Sequence, residues 1–137
     1  MTHFSVKAIG TVRSPLTDLE SAPRQGDEGA PEAWLEFDAT VLDGLQGLKV
    51  GDTVLVITWL DRARRDVLSV HPRGDIRRPQ EGVFNTRSPH RPNPLGLHRV
   101  EILAVEGTRL RVGGLEALDG TPIVDVKPLL SDDVNKR

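Results

Sequence analysis

Every apolar run in this chain is short and is cut by proline or glycine, and that brevity limits the fold more than any other feature. Strand patterns do not alternate repeatedly with helical patterns of about 10–15 residues, so the βαβ rhythm of a parallel sheet is missing. Phe4, Val6 and Ala8, then Ile9 and Val12 around Gly10, predict a first strand over Phe4–Arg13, bent at Gly10 and ended by Ser14-Pro15. Ala33–Phe37 reads as a second strand. Val41, Leu42, Leu45 and Leu48 predict a short helix within Asp38–Leu48, ended at Gly47 or Gly51. Thr53–Leu60, rich in β-branched residues, is the best central strand. A short strand is expected over Gly82–Thr86, then strands over Leu95–Val105, Thr108–Val112 and Thr121–Lys127. Pro89, Pro92 and Pro94 keep Arg87–Pro94 out of regular structure.

The expected fold class is therefore all-β. It is a small antiparallel β-barrel with long polar loops and one or two short helices, because closure buries one face of each strand and leaves no edge. A doubly wound sheet is the competing architecture. One domain is expected over residues 1–130, with a polar tail over 131–137. A chain of 137 residues buries roughly 65–70% of its unfolded surface and needs no staple. The absence of cysteine excludes disulfides, thiolate metal sites and thiolate catalysis, and fits a cytoplasmic location. Met1–Val6 lacks a basic stretch followed by an apolar run, so no signal peptide is expected. Val54–Leu60 is too short to span a membrane.

Net charge is −2, but its distribution is uneven. Nine arginines and three acidic residues lie between Arg62 and Arg99, whereas Leu16–Asp43 holds eight acidic residues against Arg24 alone. Arginine in such excess suits bidentate contact with phosphate or carboxylate. Pairing of the two segments across the fold explains the same pattern.

Three segments are candidates for chemistry. Gly82–Leu97 reads GVFNTRSPHRPNPLGL, and its prolines stiffen the support of Arg87 and Arg91. Its bland reading is a rigid turn. Asp119-Gly120-Thr121-Pro122 is a tight-turn signal that leads to Asp125 and Lys127 on one strand face. Pro23-Arg24-Gln25 lies in Asp18–Pro31, a loop long enough to suggest function. Trp59 reads as core, with base stacking as the alternative. His3, His71, His90 and His98 have no ligand spacing, so no metal is expected. No phosphate-loop or dinucleotide fingerprint is present.

Four stretches carry a resemblance: Ile9–Pro15, Pro23–Gln25, Gly82–Leu97 and Asp119–Pro128. In them the chain resembles the TsaA-like family, also called YaeB-like or VirR-like. Its characterised bacterial members are S-adenosylmethionine-dependent methyltransferases acting on N6-threonylcarbamoyladenosine beside the tRNA anticodon. The resemblance implies a small β-barrel, a homodimer, S-adenosylmethionine as cofactor and tRNA as partner. It implies a cofactor pocket of Pro23, Arg24, Gln25, Leu60, Asp61, Arg87, Leu97, Leu118, Asp119, Gly120 and Thr121. Asp125 and Asp61 are candidate proton acceptors, with Arg87 beside the reacting groups. Arg62, Arg65, Arg91, Asn93 and Lys127 are candidates for RNA or substrate contact. Many members carry more aromatic residues and a histidine at the end of the central strand, where this chain reads Thr58-Trp59-Leu60-Asp61-Arg62. Longer members add a C-terminal domain, so any RNA surface that domain supplies is expected here from Arg62–Arg78, from a partner subunit, or not at all. A methyltransferase acting on a small molecule, and a non-catalytic binding module, are the alternative functions.

Overall fold

A computed structural model describes residues 2–17 and 30–130. Eight strands are present: β1 (Gly10–Arg13), β2 (Ala33–Phe37), β3 (Thr53–Trp59), β4 (Ser69–Val70), β5 (Glu81–Gly82), β6 (Leu95–Glu106), β7 (Arg109–Gly113) and β8 (Pro122–Pro128). Six of them close an antiparallel barrel in the order β1-β2-β7-β6-β3-β8, and β4 and β5 form a separate hairpin outside it.

Alternation along each strand fills the barrel. Val54, Val56 and Thr58 of β3 face inward opposite Val100, His98 and Gly96 of β6. Leu35, Ile102, Leu110 and Ile123 are fully buried, each stabilising the fold by about 1.5–3 kcal/mol. The barrel closes where Gly10 of β1 pairs with both Phe37 and Ile123. A Cβ at Gly10 would lie 2.5 Å from the Glu36 carbonyl oxygen, so the seam needs a residue without one.

Two predicted elements change character. The first strand begins only at Gly10, because residues before Ile9 find no partner strand among the described residues and Phe4 is 87% exposed. The predicted helix is a 3-10 helix over Ala39–Leu45. Its bonds run three residues back, Val41 N–H to Asp38 and Gln46 N–H to Asp43, and Asp38 caps it by accepting from the Thr40 amide at 2.9 Å. Val41, Leu45 and Leu48 pack it against the core. Two further short 3-10 segments are described: Pro72–Gly74 lies in the connection between β4 and β5, and Val83–Asn85 follows β5 and replaces most of the strand expected over Gly82–Thr86. Among the described residues, no helix is long and apolar enough to cross a membrane.

Candidate functional site

The antiparallel registers bring the last residues of β1 and β3 and the first residues of β2, β6 and β8 to one end of the barrel. Three irregular segments are therefore carried there: Leu60–Asp66 after β3, Arg87–Pro94 before β6, and Leu115–Thr121 before β8. The first two are joined directly. The Leu60 amide donates to the Pro94 carbonyl at 2.8 Å, the Arg91 amide to the Arg64 carbonyl at 3.1 Å, and the Arg64 amide to His90 Nδ1 at 3.0 Å. The third is stitched to the end of β1. Asp119 and Gly120 donate their amides to the Leu16 and Val12 carbonyls, both at 2.8 Å, while Asp119 Oδ1 accepts from the Ser14 amide at 3.0 Å. Arg62 links the sides by donating to the Thr17 carbonyl at 2.8 Å.

Prolines remove amide donors from the Arg87–Pro94 region and leave carbonyls in need of partners. Arg91 supplies the donors. Its Nε donates to the Ser88 carbonyl at 2.8 Å, and its Nη2 to the Val83 and Thr86 carbonyls at 2.7 and 2.6 Å. Arg65 acts similarly across the two segments, donating to the Pro92 carbonyl at 2.7 Å and to Asn93 Oδ1 at 3.1 Å. Its guanidinium also lies 5.1 Å from the centroid of the Trp59 ring. Trp59 is half-buried on the barrel's outer surface rather than in the core, because β3 turns Val54, Val56 and Thr58 inward and leaves alternate residues outside.

Arg87 differs from these stapling arginines: it is exposed and makes no hydrogen bond or ion pair among the described residues. Asp61 is likewise exposed and unpaired among them. Leu97 points outward from β6 and is 43% exposed. Leu118 and Thr121 are buried, and Gly120 takes φ 84, a left-handed turn conformation suited to glycine. Asp125 and Lys127 are not among the groups gathered at this end. Their side chains pair at 3.5 Å, and Asp125 lines a hollow of about 240 Å³ beside the 3-10 helix, with Ile9, Phe37 and Val126. Pro23, Arg24 and Gln25 lie outside the described residues.

Beneath the irregular segments sits a buried polar group of three that sequence reasoning missed. His98 Nε2 meets Thr58 Oγ1 at 2.6 Å and His98 Nδ1 meets Glu116 Oε1 at 2.5 Å. Thr58 is fully buried and His98 nearly so. Each ring nitrogen of His98 thus has a polar partner, and the imidazole bridges Thr58 and Glu116. The signal was available: Thr58 and His98 share the parity of valines 54, 56 and 100, and polar residues in an inward row require partners. Gly96 makes the arrangement possible, since a Cβ there would lie 2.5 Å from Thr58 Oγ1. The network ties Leu115–Thr121, through Glu116, to β3 and β6.

Two ion pairs of the arginine-rich segment join residues two apart in sequence. Arg64 pairs with Asp66 at 2.9 Å and Arg77 with Asp75 at 3.0 Å. Hydrogen bonds from these guanidiniums hold the Asp66 and Asp75 carboxyls below the usual carboxylate range. Among the described residues, no three metal-ligating side chains cluster.

Residues 11–133 match the family described as the tRNA-methyltransferase O N-terminal domain. The chain is 45% identical over 131 residues to a probable S-adenosyl-L-methionine-binding protein of Archaeoglobus fulgidus, covering 96% of this chain and 35% of that protein. It is 44% identical to another protein of that description from Methanothermobacter thermautotrophicus, covering 95% of this chain and 93% of the relative. The crystal structure of TrmO from Pseudomonas aeruginosa superposes with a TM-score of 0.74 at 32% identity, over 100% of this chain and 61% of that one. This chain thus spans about a third of the first relative and about three fifths of the TrmO chain.

Proposed function

Because this chain belongs to the family of the tRNA-methyltransferase O N-terminal domain, we propose that it binds S-adenosylmethionine and methylates an adenosine of tRNA, at N6 of threonylcarbamoyladenosine beside the anticodon. The observation that carries this reading is the meeting of Leu60–Asp66, Arg87–Pro94 and Leu115–Thr121 at one end of the barrel.

The groups at that end fit the cofactor. A bare guanidinium at Arg87 takes a carboxylate, a bare carboxylate at Asp61 takes an ammonium or hydroxyl, and the exposed Leu97 side chain covers an aromatic face. The amides of Asp119, Gly120 and Thr121 are already engaged, so this turn offers a ligand its carbonyls and Asp119 Oδ2. Pro23, Arg24 and Gln25 belong to the same pocket by family likeness. The bound cofactor supplies an activated methyl group on its sulfonium.

The chain's own work is alignment. Arg91 and Arg65 fix the turn that bears Arg87, and His98 with Glu116 fixes the segment that bears Asp119, so the holding groups are in place before a ligand arrives. Asp61 receives the proton released by the acceptor nitrogen at a carboxylate oxygen, a task for which Asp125, paired with Lys127, is badly placed. Arg62 and Arg65 keep full positive charge beside the site and face RNA phosphate, with Asn93 beside them. Two copies of the chain form the working unit.

Titration calorimetry with S-adenosylmethionine tests the cofactor half, and a salt series on RNA binding tests the other. Heat of binding that is lost in Arg87→Ala, together with RNA affinity that falls steeply with salt, is the expected pair of results. Absence of cofactor binding by the wild-type protein would overturn the methyltransferase reading. Salt-independent or absent RNA binding would overturn the choice of tRNA.

A further inference from the structure

The Val83–Ser88 turn is held firmly from inside and left bare outside. Arg91 satisfies three of its carbonyls at 2.6–2.8 Å. Val83 is buried, and its amide donates to the Leu68 carbonyl at 2.9 Å. The Thr86 amide and hydroxyl both return to the Val83 carbonyl, at 3.1 and 2.9 Å. Phe84 rides on this fixed turn, yet it is 79% exposed, and Leu68 beside its base is 67% exposed. A phenyl ring standing in water on a backbone already immobilised loses little further freedom when a flat partner covers it.

From this geometry we propose that Phe84 is the platform on which the acceptor purine of the RNA stacks, one turn away from the cofactor that Arg87 holds. The inference rests on the proposed function and adds the residue that presents the base. Proteins reading unpaired RNA stack bases on exposed aromatic rings while cationic side chains follow the backbone. The arginine excess of the Arg62–Arg99 segment, which bears Phe84, suits such a strand. Asp66 and Asp75, two of the three acidic residues between Arg62 and Arg99, are neutralised by Arg64 and Arg77, and the third, Glu81, accepts from Asn85 at 3.4 Å. Arg87, three residues on, remains an unpaired cation among the described residues.

The test uses the whole chain with S-adenosylhomocysteine present and a synthetic RNA anticodon stem-loop carrying 2-aminopurine next to the anticodon. Stacking on the ring quenches the probe. In Phe84→Ala and Phe84→Leu, RNA affinity is expected to fall about tenfold or more and the quenching to disappear, while Phe84→Trp restores both. Cofactor affinity and Tm should stay at wild-type values in all three, since Phe84 is mostly exposed in the free protein. The platform is refuted by RNA affinity in Phe84→Ala within about twofold of wild type, where a lost stack predicts far more. It is refuted equally by a leucine variant that binds as well as wild type, or by cofactor affinity falling in step with RNA affinity. Wild-type protein that takes cofactor but no RNA removes the tRNA assignment and the platform together, whereas RNA binding untouched by Phe84→Ala removes the platform alone.

Discussion

Gly96→Ala places one methyl group where the structure has no room for it. The new Cβ would lie 2.5 Å from Thr58 Oγ1 and 2.7 Å from His98 Nε2. Ordinary contact needs about 3.5 Å, so both polar atoms must retreat by about 1 Å. A 2.6 Å hydrogen bond between two buried groups does not survive that retreat. Overpacking in such a core costs about 1–3 kcal/mol, and an unsatisfied buried polar group about 1–3 kcal/mol more. Unfolding entropy scales with length, and for a chain of this size each kcal/mol moves Tm by about 3–4 °C. Scanning calorimetry should therefore find Tm lowered by roughly 6–24 °C. Gly113→Ala is the control, because its Cβ meets only Leu103 Cδ1 at 3.4 Å, and little change is expected. A second arm removes Oγ1 with Thr58→Ala. The double variant should lose about 1–2 kcal/mol less than the sum of the singles, because the nearest clash is gone. A Tm change in Gly96→Ala below about 2 °C, or strict additivity with Thr58→Ala, would refute the reasoning that glycine is there to admit the network.

The remaining predictions separate stapling from binding groups. Arg91→Ala removes three hydrogen bonds to backbone carbonyls, of which only that of Val83 keeps other donors among the described residues, and should destabilise the fold by about 2–4 kcal/mol in urea titration, whereas Arg87→Ala should leave Tm unchanged and weaken cofactor binding tenfold or more by calorimetry. Equal Tm losses in both would contradict this division. Gly10→Ala drives a methyl against the Glu36 carbonyl at the seam, and circular dichroism should show reduced cooperativity and a lower Tm; a wild-type melt would mean the seam tolerates a wider gap. Asp38 accepts from the Thr40 amide and hydroxyl, which lowers its folded pKa, so its stabilising effect is present above the unfolded value near about 3.9 and fades as pH falls through the lower folded one. Carboxyl-carbon NMR should find Asp38 titrating below free aspartate, with the value rising part of the way in Thr40→Val, which removes the hydroxyl and keeps the amide; a wild-type Asp38 that titrates like free aspartate would place the cap elsewhere.

The barrel was legible because period-two alternation needs no knowledge of partners: Thr53–Leu60 and Leu95–Val105 came out within a residue of β3 and of the start of β6. Alternation at Phe4, Val6 and Ala8 looked the same and failed, because a strand also needs a neighbour to bond and none of the described residues pairs with them. The β4–β5 ladder holds two residue pairs, too few for any periodic signal. For the site, the Arg87–Pro94 turn and the Asp119–Thr121 turn stood out by their residues, but only antiparallel register puts them at one end. Sequence could not divide the arginines either. Arg91 and Arg87 belong to the same motif, yet one is drawn inward by carbonyls that prolines leave without donors, and the other is left facing water. Asp125 had the right spacing from the turn, but three strand residues carry it about 10 Å along β8, toward Lys127 and the hollow under the 3-10 helix.

The most direct test of the account is a nucleoside digest of tRNA incubated with the purified chain and S-adenosylmethionine labelled on its methyl group, read by mass spectrometry. Label in threonylcarbamoyladenosine, lost in Arg87→Ala, is the predicted result. Unlabelled nucleosides from a protein that is folded and saturated with cofactor would contradict it.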